Sequence, residues 1–259
     1  MSDRVNILGT RVSRYNLSET VELMTDAIQN QKKLRIAVTP VNCILWARKN
    51  SRLREIYNSA EIVTADGVPV VWASKLFKKP IRGRVTGLDL LPEFAKVAAS
   101  KNFSFFFLGA AEGVGERLAR ALQDNYPGLN IAGTYSPPFA VKFSEEENER
   151  IIDKVNRANP DVLWVSLTAP KQDYWIASHF DKLNVSVAIG VGAAFDVVAG
   201  NVKRSPEWMQ KWGLEWLFRL IQEPRRLARR YLFEAPVFLP LIVKQAIQRK
   251  KRDGNSEKT

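Results

Sequence analysis

Six short apolar runs, each followed by a stretch of helical period, constrain this chain more than any other feature. They are residues 34–39 (LRIAVT), 60–63, 102–109 (NFSFFFLG), 129–133 (LNIAG), 161–167 (DVLWVSL) and 185–191 (VSVAIGV). Their length and bulky composition suit strands buried on both faces. The intervening segments read as helices. Residues 17–28 turn Val21, Leu23, Met24, Ala27 and Ile28 to one side, and residues 42–57, 88–99 and 116–126 follow. Residues 144–156 open on a Ser-x-x-Glu capping box, Ser144 to Glu147, and a further helix starts at Tyr174. Ahead of them, residues 5–8 look like a strand, with Val12 and Tyr15 in a small hairpin. Strand and helix in alternation specify an α/β fold with a mainly parallel sheet covered by helices. At 46% hydrophobic residues, 259 residues supply a core large enough for one such domain and an appendage, or for two small domains.

In a sheet of this kind, side chains that follow a strand point into the crevice where ligands bind. Asp66 holds such a position, in the stretch Thr64-Ala65-Asp66-Gly67-Val68-Pro69. Gly67 supplies the backbone freedom of a tight strand-to-helix turn, and Pro69 suits a first helical turn. Taken alone, Asp66 is equally a helix cap or a working carboxylate. A second strand–turn–helix unit carries Gly109, Gly113 and Gly115, whose spacing is not the dinucleotide-binding G-x-G-x-x-G. A plain helix-opening loop explains it as well as a phosphate cradle does.

Some chemistries are closed off by composition. Cys43 and His179 are the only cysteine and histidine, so disulfides, cysteine metal sites and histidine-based metal centres are not expected. Residues 1–10 are mixed and polar, without the apolar centre of a signal peptide, and a cytoplasmic protein is expected.

Charge is unevenly spread. The chain carries +12, of which residues 203–252 contribute +9 from 13 Lys/Arg and 4 Glu. That segment sets Trp208, Trp212, Trp216, Leu217, Leu220 and Ile221 among basic residues, and Pro224 breaks or restarts its helix. Residues 235–243 (APVFLPLIV) are apolar but far short of the about 20 needed to span a bilayer. Tryptophan, positive charge and an undersized apolar run together suit the surface of an anionic membrane. Three parts follow: a core over residues 1–202, a basic amphipathic appendage over 203–252, and a polar tail over 253–259, expected to be disordered.

TADGVPVVWASK, RVTGLDL, FFFLGAAEGVGERLA, PKQDYW and IGVGAAFDVVAGNVKRSPEWMQKWGLEWLFRLIQEPRRLARRYL occur in this order between about residues 36 and 232. Together they resemble the WecG/TagA/CpsF glycosyltransferases. The resemblance implies a Rossmann-like core whose C-terminal appendage meets the membrane and completes the site. It implies inverting, metal-independent transfer from a UDP-sugar to a polyprenyl-diphosphate-linked saccharide. The enzyme would act on the inner face of the plasma membrane as a peripheral protein, in cell-surface polysaccharide synthesis. No cofactor and no nucleic acid are implied, and a homo-oligomer is compatible.

By the same resemblance Asp66 corresponds to the catalytic base, while Arg84 and Gln172 match an arginine and a glutamine of the site. Arg219, Arg225, Arg226 and Arg229 fall in the appendage pattern, where guanidinium groups suit a lipid diphosphate. The family's polar pair falls on Thr39 and Asn42, here three positions apart. Gly109, Gly192, Phe195 and Asp196 lie at strand ends, where topology puts a nucleotide. Two residues depart from the family's G-x-P-K-Q-E: Thr168 takes the glycine place and Asp173 the glutamate place.

Two rivals make different demands. A nucleotide-cofactor oxidoreductase needs an acidic residue at the end of the strand after the glycine turn, and Ala132-Gly133-Thr134 has none. A non-catalytic basic module binding membrane or RNA explains the C-terminal charge but leaves Asp66, Arg84 and Gln172 without a task.

Overall fold

The computed structural model describes residues 3–256, apart from the side chains of residues 211, 226 and 252–256. A hairpin comes first, β1 (Arg4–Ile7) antiparallel to β2 (Thr10–Ser13). β3 (Leu34–Pro40), β4 (Ile62–Asp66), β5 (Ser104–Gly109), β6 (Asn130–Tyr135), β7 (Val162–Ser166) and β8 (Val187–Gly190) then form one sheet. Its order is β4-β3-β8-β7-β5-β6, and every pairing is parallel. The alternation of runs and helices in the sequence is thus a Rossmann-like α/β fold.

Successive side chains of a strand point to opposite faces, so a doubly covered sheet must be apolar at every position. Phe105 and Phe107 of β5 pack beneath helices Leu17–Gln29, Gly87–Lys101 and Val114–Asn125, with Ile36, Trp164 and Ile189 beside them. Phe106 and Leu108 take the other face, under helices Glu145–Ala158 and Lys171–His179. Also on that face, Ala37, Val63 and Ala65 meet helices Val41–Lys49, Ser51–Ser59 and Val68–Leu76, together with the hairpin. Phe105 and Trp164 meet edge-on at 5.4 Å, and truncating either to alanine would cost about 3–5 kcal/mol.

Capping departs from the sequence reading in two places. The helix expected over 42–57 is two helices, because Asn50 interrupts it: its Oδ1 accepts from Leu53 N at 3.0 Å and restarts the ladder. The Ser144–Glu147 box is half made. Ser144 Oγ accepts from Glu147 N, but the Glu147 carboxylate takes the Tyr135 hydroxyl at 2.7 Å instead of closing the box. The complete capping box is Asn16 with Glu19, at the start of Leu17–Gln29.

Beyond residue 202 the chain runs through Glu207–Lys211, Glu215–Gln222 and Pro224–Ala228, with Pro224 opening the third of these helices. A wide turn, Arg229–Glu234, and a short 3-10 segment, Ala235–Val237, lead into the helix Phe238–Ser256. This last helix folds back onto the core. Phe238 and Ile242 are buried with Val5, Ile7 and Phe77. Gln245 accepts from Leu8 N at 2.9 Å and donates to Asn6 O at 3.0 Å, and Arg249 donates to Phe77 O. The polar tail expected over 253–259 falls on the end of this helix and, for 257–259, outside the described residues. Among the described residues no helix is long and apolar enough to cross a membrane.

Candidate active site

A cavity of about 500 Å³ opens at the carboxyl edge of the sheet, over the ends of β4, β3, β8 and β7. Its floor is core: Asp66, Asn42, Arg84, Gln172 and Gly192. Its roof is appendage: Glu215, Trp216, Arg219, Leu227, Arg230 and Tyr231. This is the crevice that α/β topology reserves for ligands.

Asp66 ends β4, and Gly67 turns the chain at φ +107°, a value few other residues tolerate, into the helix Val68–Leu76. Val85 N donates to Ala65 O at 2.9 Å, which lays the strand-like segment carrying Arg84 beside Asp66. Burial pushes the Asp66 carboxyl up to about 7. Glu215 and Asp89 push in the same direction, while Arg84 and Arg219 hold it down. A carboxylate set near neutrality can both take a proton from a hydroxyl and be free to do so at physiological pH.

Arg84 belongs to a four-membered ring of charges. Its guanidinium lies 3.2 Å from Glu215 Oε2 and 3.4 Å from Asp89 Oδ2. Arg204 bridges the same acids, through Nε to Glu215 Oε1 at 3.3 Å and through Nη2 to Asp89 Oδ1. Arg84 and Asp89 come from the core, Arg204 and Glu215 from the appendage. The sequence reading missed Asp89, Arg204 and Glu215, although each stands inside a motif it quoted.

Gln172, 3% exposed, lies flat across Gly190, where a Cβ would sit 2.6 Å from its amide nitrogen. Its Oε1 accepts from Gly192 N at 3.1 Å, tying the end of β8 to the helix Lys171–His179. Next to it Asp173 is buried, accepts from the Tyr57 hydroxyl at 3.2 Å, and is pushed up to about 7 by burial. Thr168 stands at φ +64°, on the cavity wall. The backbone there favours glycine, the residue of the family pattern.

The remaining residues singled out from the sequence divide. Asn42, Gly192 and Arg219 line the cavity, and Arg219 also reaches Glu223 at 3.5 Å. Thr39 lies outside it, buried under the sheet edge with its hydroxyl donating to Thr64 O at 2.7 Å. Phe195 is fully buried against Phe107, and Gly109 is packed on Ser166 O. Asp196 accepts from Asn201 Nδ2 near the mouth of β8 rather than on the cavity wall. Arg225 is exposed, and Arg229 extends outward toward Glu234 at 3.5 Å. The side chain of Arg226 is outside the described residues. Arg230, which the sequence reading passed over, reaches the cavity with its guanidinium over the Trp46 ring at 5.3 Å. Trp46 also donates to Glu234, a second tie between core and appendage. Among the described residues no three His, Cys, Asp or Glu side chains are grouped to hold a metal ion.

Known proteins match this chain along core and appendage alike. Two Staphylococcus aureus proteins, from strains MRSA252 and MW2, are each named N-acetylglucosaminyldiphosphoundecaprenol N-acetyl-beta-D-mannosaminyltransferase. Each is 30% identical to this chain over 250 residues, covering 96% of it and 95% of the relative. The model of one glycosyltransferase family matches residues 5–252, from the hairpin through the helix that folds back on it. Core, cavity and appendage therefore lie within one matched unit, and the chain belongs to the Glycosyl transferase WecG/TagA/CpsF family.

Proposed function

We propose that this glycosyltransferase moves a sugar from a UDP-sugar to a polyprenyl-diphosphate-linked N-acetylglucosamine, with inversion and without a metal ion. It would work as a peripheral protein at the inner face of the cytoplasmic membrane. The acceptor class and an N-acetylmannosaminyl donor follow the names of the relatives. The observation that carries the mechanism is the Asp66 carboxylate, held near neutrality on a cavity wall that also presents Arg84, Arg219 and Arg230.

In a single displacement, Asp66 takes the proton of the acceptor hydroxyl as its oxygen forms a bond to the anomeric carbon. The bond from that carbon to the diphosphate oxygen breaks, and UDP leaves with the electron pair. Negative charge then grows on the leaving oxygen. The cavity arginines supply the positive charge that stabilises it, the task a metal ion performs elsewhere. Gln172 and Asn42 offer neutral donors and acceptors for sugar hydroxyls. The appendage bears exposed Trp208, Trp212 and Phe233 among basic residues, which supports a membrane contact beside the cavity mouth.

The test is UDP release from a panel of UDP-sugars, UDP-N-acetylmannosamine first, with and without undecaprenyl-diphosphate N-acetylglucosamine, in EDTA. Acceptor-dependent release that disappears in Asp66→Asn is the expected result. Release that requires added divalent metal, or that survives Asp66→Asn, overturns the mechanism. Tight binding to anionic vesicles or RNA with no nucleotide-sugar bound favours the non-catalytic reading.

A further inference from the structure

The helix Val68–Leu76 leaves the Asp66 turn with an outer face that the proposed reaction does not use. A helix lying against water normally shows it charged or polar side chains. Lys75 is the only charge in VPVVWASKL, and its one hydroxyl is turned away from solvent. Ser74 is buried, donating to Val71 O at 2.6 Å and accepting from Ile81 N at 2.8 Å. Val70 and Ala73 belong to the core. The outer face therefore falls to Pro69, Trp72 and Leu76, whose spacing sets them on one side of the helix. Trp72 is 61% exposed and Leu76 54%.

Lone exposed apolar side chains are ordinary on a protein surface. These are not scattered, because they run out of the cavity. Val68 and Pro69 line its wall beside Gly213, where a Cβ would lie 2.9 Å from Val68 Cγ2. Pro69 is itself exposed, which puts it at the mouth. From there the stripe continues along about 10 Å of helix to Leu76. Exposed Lys75, Lys78 and Lys79 flank its far end.

We propose that Pro69, Trp72 and Leu76 form a binding track for the first isoprene units of the acceptor's polyprenyl chain. This inference rests on the reading of the acceptor as a polyprenyl-diphosphate-linked saccharide. With the diphosphate held among the cavity arginines, the chain has to leave by the mouth, and an apolar chain gains by leaving along apolar side chains. The Trp72 ring offers the largest single area on the stripe. The lysines stand where the chain passes on toward anionic headgroups. The enzyme then recognises the lipid of its acceptor as well as the sugar, and does so with a helix of the core.

The experiment uses the full chain, without membranes, and two soluble acceptors: N-acetylglucosamine diphosphate esterified with farnesyl or with methyl. UDP-N-acetylmannosamine is the donor. In the unmutated chain kcat/KM is higher for the farnesyl compound. In Trp72→Ser, and separately in Leu76→Ser, the farnesyl-to-methyl ratio of kcat/KM falls about tenfold, the scale of one large apolar contact. Trp72→Phe keeps most of the ratio. Fluorine NMR of fluorotryptophan-labelled protein needs no turnover, with the Trp72 resonance assigned by its absence in Trp72→Phe. The farnesyl compound moves that resonance and the methyl compound does not. A ratio that survives both serine substitutions together, or a Trp72 resonance that farnesyl leaves in place, overturns the track. A surviving ratio with lost binding to phosphatidylglycerol vesicles overturns it too, and assigns the stripe to the bilayer. If both compounds bind alike, the track alone fails. If neither binds, the acceptor reading fails and the track with it.

Discussion

The core and the appendage are held by different forces. In the core, all strands of the sheet but the edge strand β6 are buried on both faces, and the aromatic side chains of β5 and β7 interlock with one another. The appendage has little interior of its own. None of the residues in Glu215–Gln222 is buried, and Trp212 stays 75% exposed, Phe233 73% and Ile221 69%. It stays in place through the charge ring, Trp46, and the helix that returns to the hairpin. Apolar burial fixes a carboxylate to within a narrow range of positions, whereas a few partly solvated ion pairs close and open at small cost. The core is thus suited to aim the base, and the appendage to sense what lies outside.

The sharpest way to break this contrast is at Asp66. Asp66→Asn is expected to lower kcat by about 10²–10⁴-fold, the range a general base contributes. In the unmutated enzyme, kcat/KM should rise with pH and level off near 7, where the carboxyl loses its proton. The sign for stability runs the other way. A carboxyl raised from 3.8 to about 7 on folding stabilises the fold at pH below 4, and that contribution is lost as pH rises through 7. Asp66→Asn should therefore melt higher than the parent at pH 8, with little difference at pH 4. A variant that melts lower at pH 8 would mean Asp66 is a structural cap after all.

Removal of residues 203–259 comes next in size. Transfer to a lipid-linked acceptor should fall more than tenfold, and vesicle binding with it, as the roof of the cavity and the exposed tryptophans go together. The sheet should survive, with unchanged far-ultraviolet ellipticity per strand residue. Its midpoint in urea should drop nevertheless, because Phe238 and Ile242 no longer cover Val5, Ile7 and Phe77. Unaltered activity on a polyprenyl acceptor would show that the core suffices. A smaller change isolates the membrane contact alone. Trp208→Ser with Trp212→Ser should weaken binding to anionic vesicles about ten- to a hundredfold per tryptophan, each withdrawal forfeiting about 1.5–3 kcal/mol of apolar transfer. kcat on a short, soluble acceptor should hold.

The same contrast decides what could be read from the sequence. Every strand of the sheet was legible: the five buried ones because a strand covered on two faces has to be a continuous apolar run, as in NFSFFFLG, and the half-exposed edge strand β6 from the shorter run LNIAG. Asp66 was legible too, since strand, carboxylate and glycine in that order place the carboxylate at the crevice. Thr39 shows where that logic thins: it lies one residue short of the level of Asp66, opposite Ala65, and its side chain turns inward to Thr64 O, a choice of face that one position decides. The ring was not legible. Asp89, Arg204 and Glu215 are charged residues on helix ends and loops, indistinguishable by pattern from solvated surface. Their meaning comes from a tertiary approach of segments more than a hundred residues apart. Among the appendage arginines, Arg229 and Arg230 are neighbours in sequence, and helical geometry sends only Arg230 to the cavity.

Thr168 offers the finest test, on the core side of the cavity. Its φ of +64° lies in the left-handed region, where a β-branched residue is strained by about 1–2 kcal/mol. Glycine relieves that strain but loosens the unfolded chain, at a cost of about 0.4–1 kcal/mol. Thr168→Gly should then raise stability by about 0.5 kcal/mol, one or two degrees in Tm for a chain of this size. The gain depends on a loop that the rest of the core holds rigid. Gln172 N donates to Thr168 O at 3.1 Å, and Gln172 is itself pinned on Gly190 and Gly192. If the loop instead relaxes around threonine in solution, the substitution lowers Tm, because only the entropy term remains. A rise in Tm with an unchanged KM for donor would mean the threonine is tolerated strain. A rise in Tm with a higher KM would mean that its hydroxyl touches the sugar, and that the departure from glycine tunes which sugar is moved.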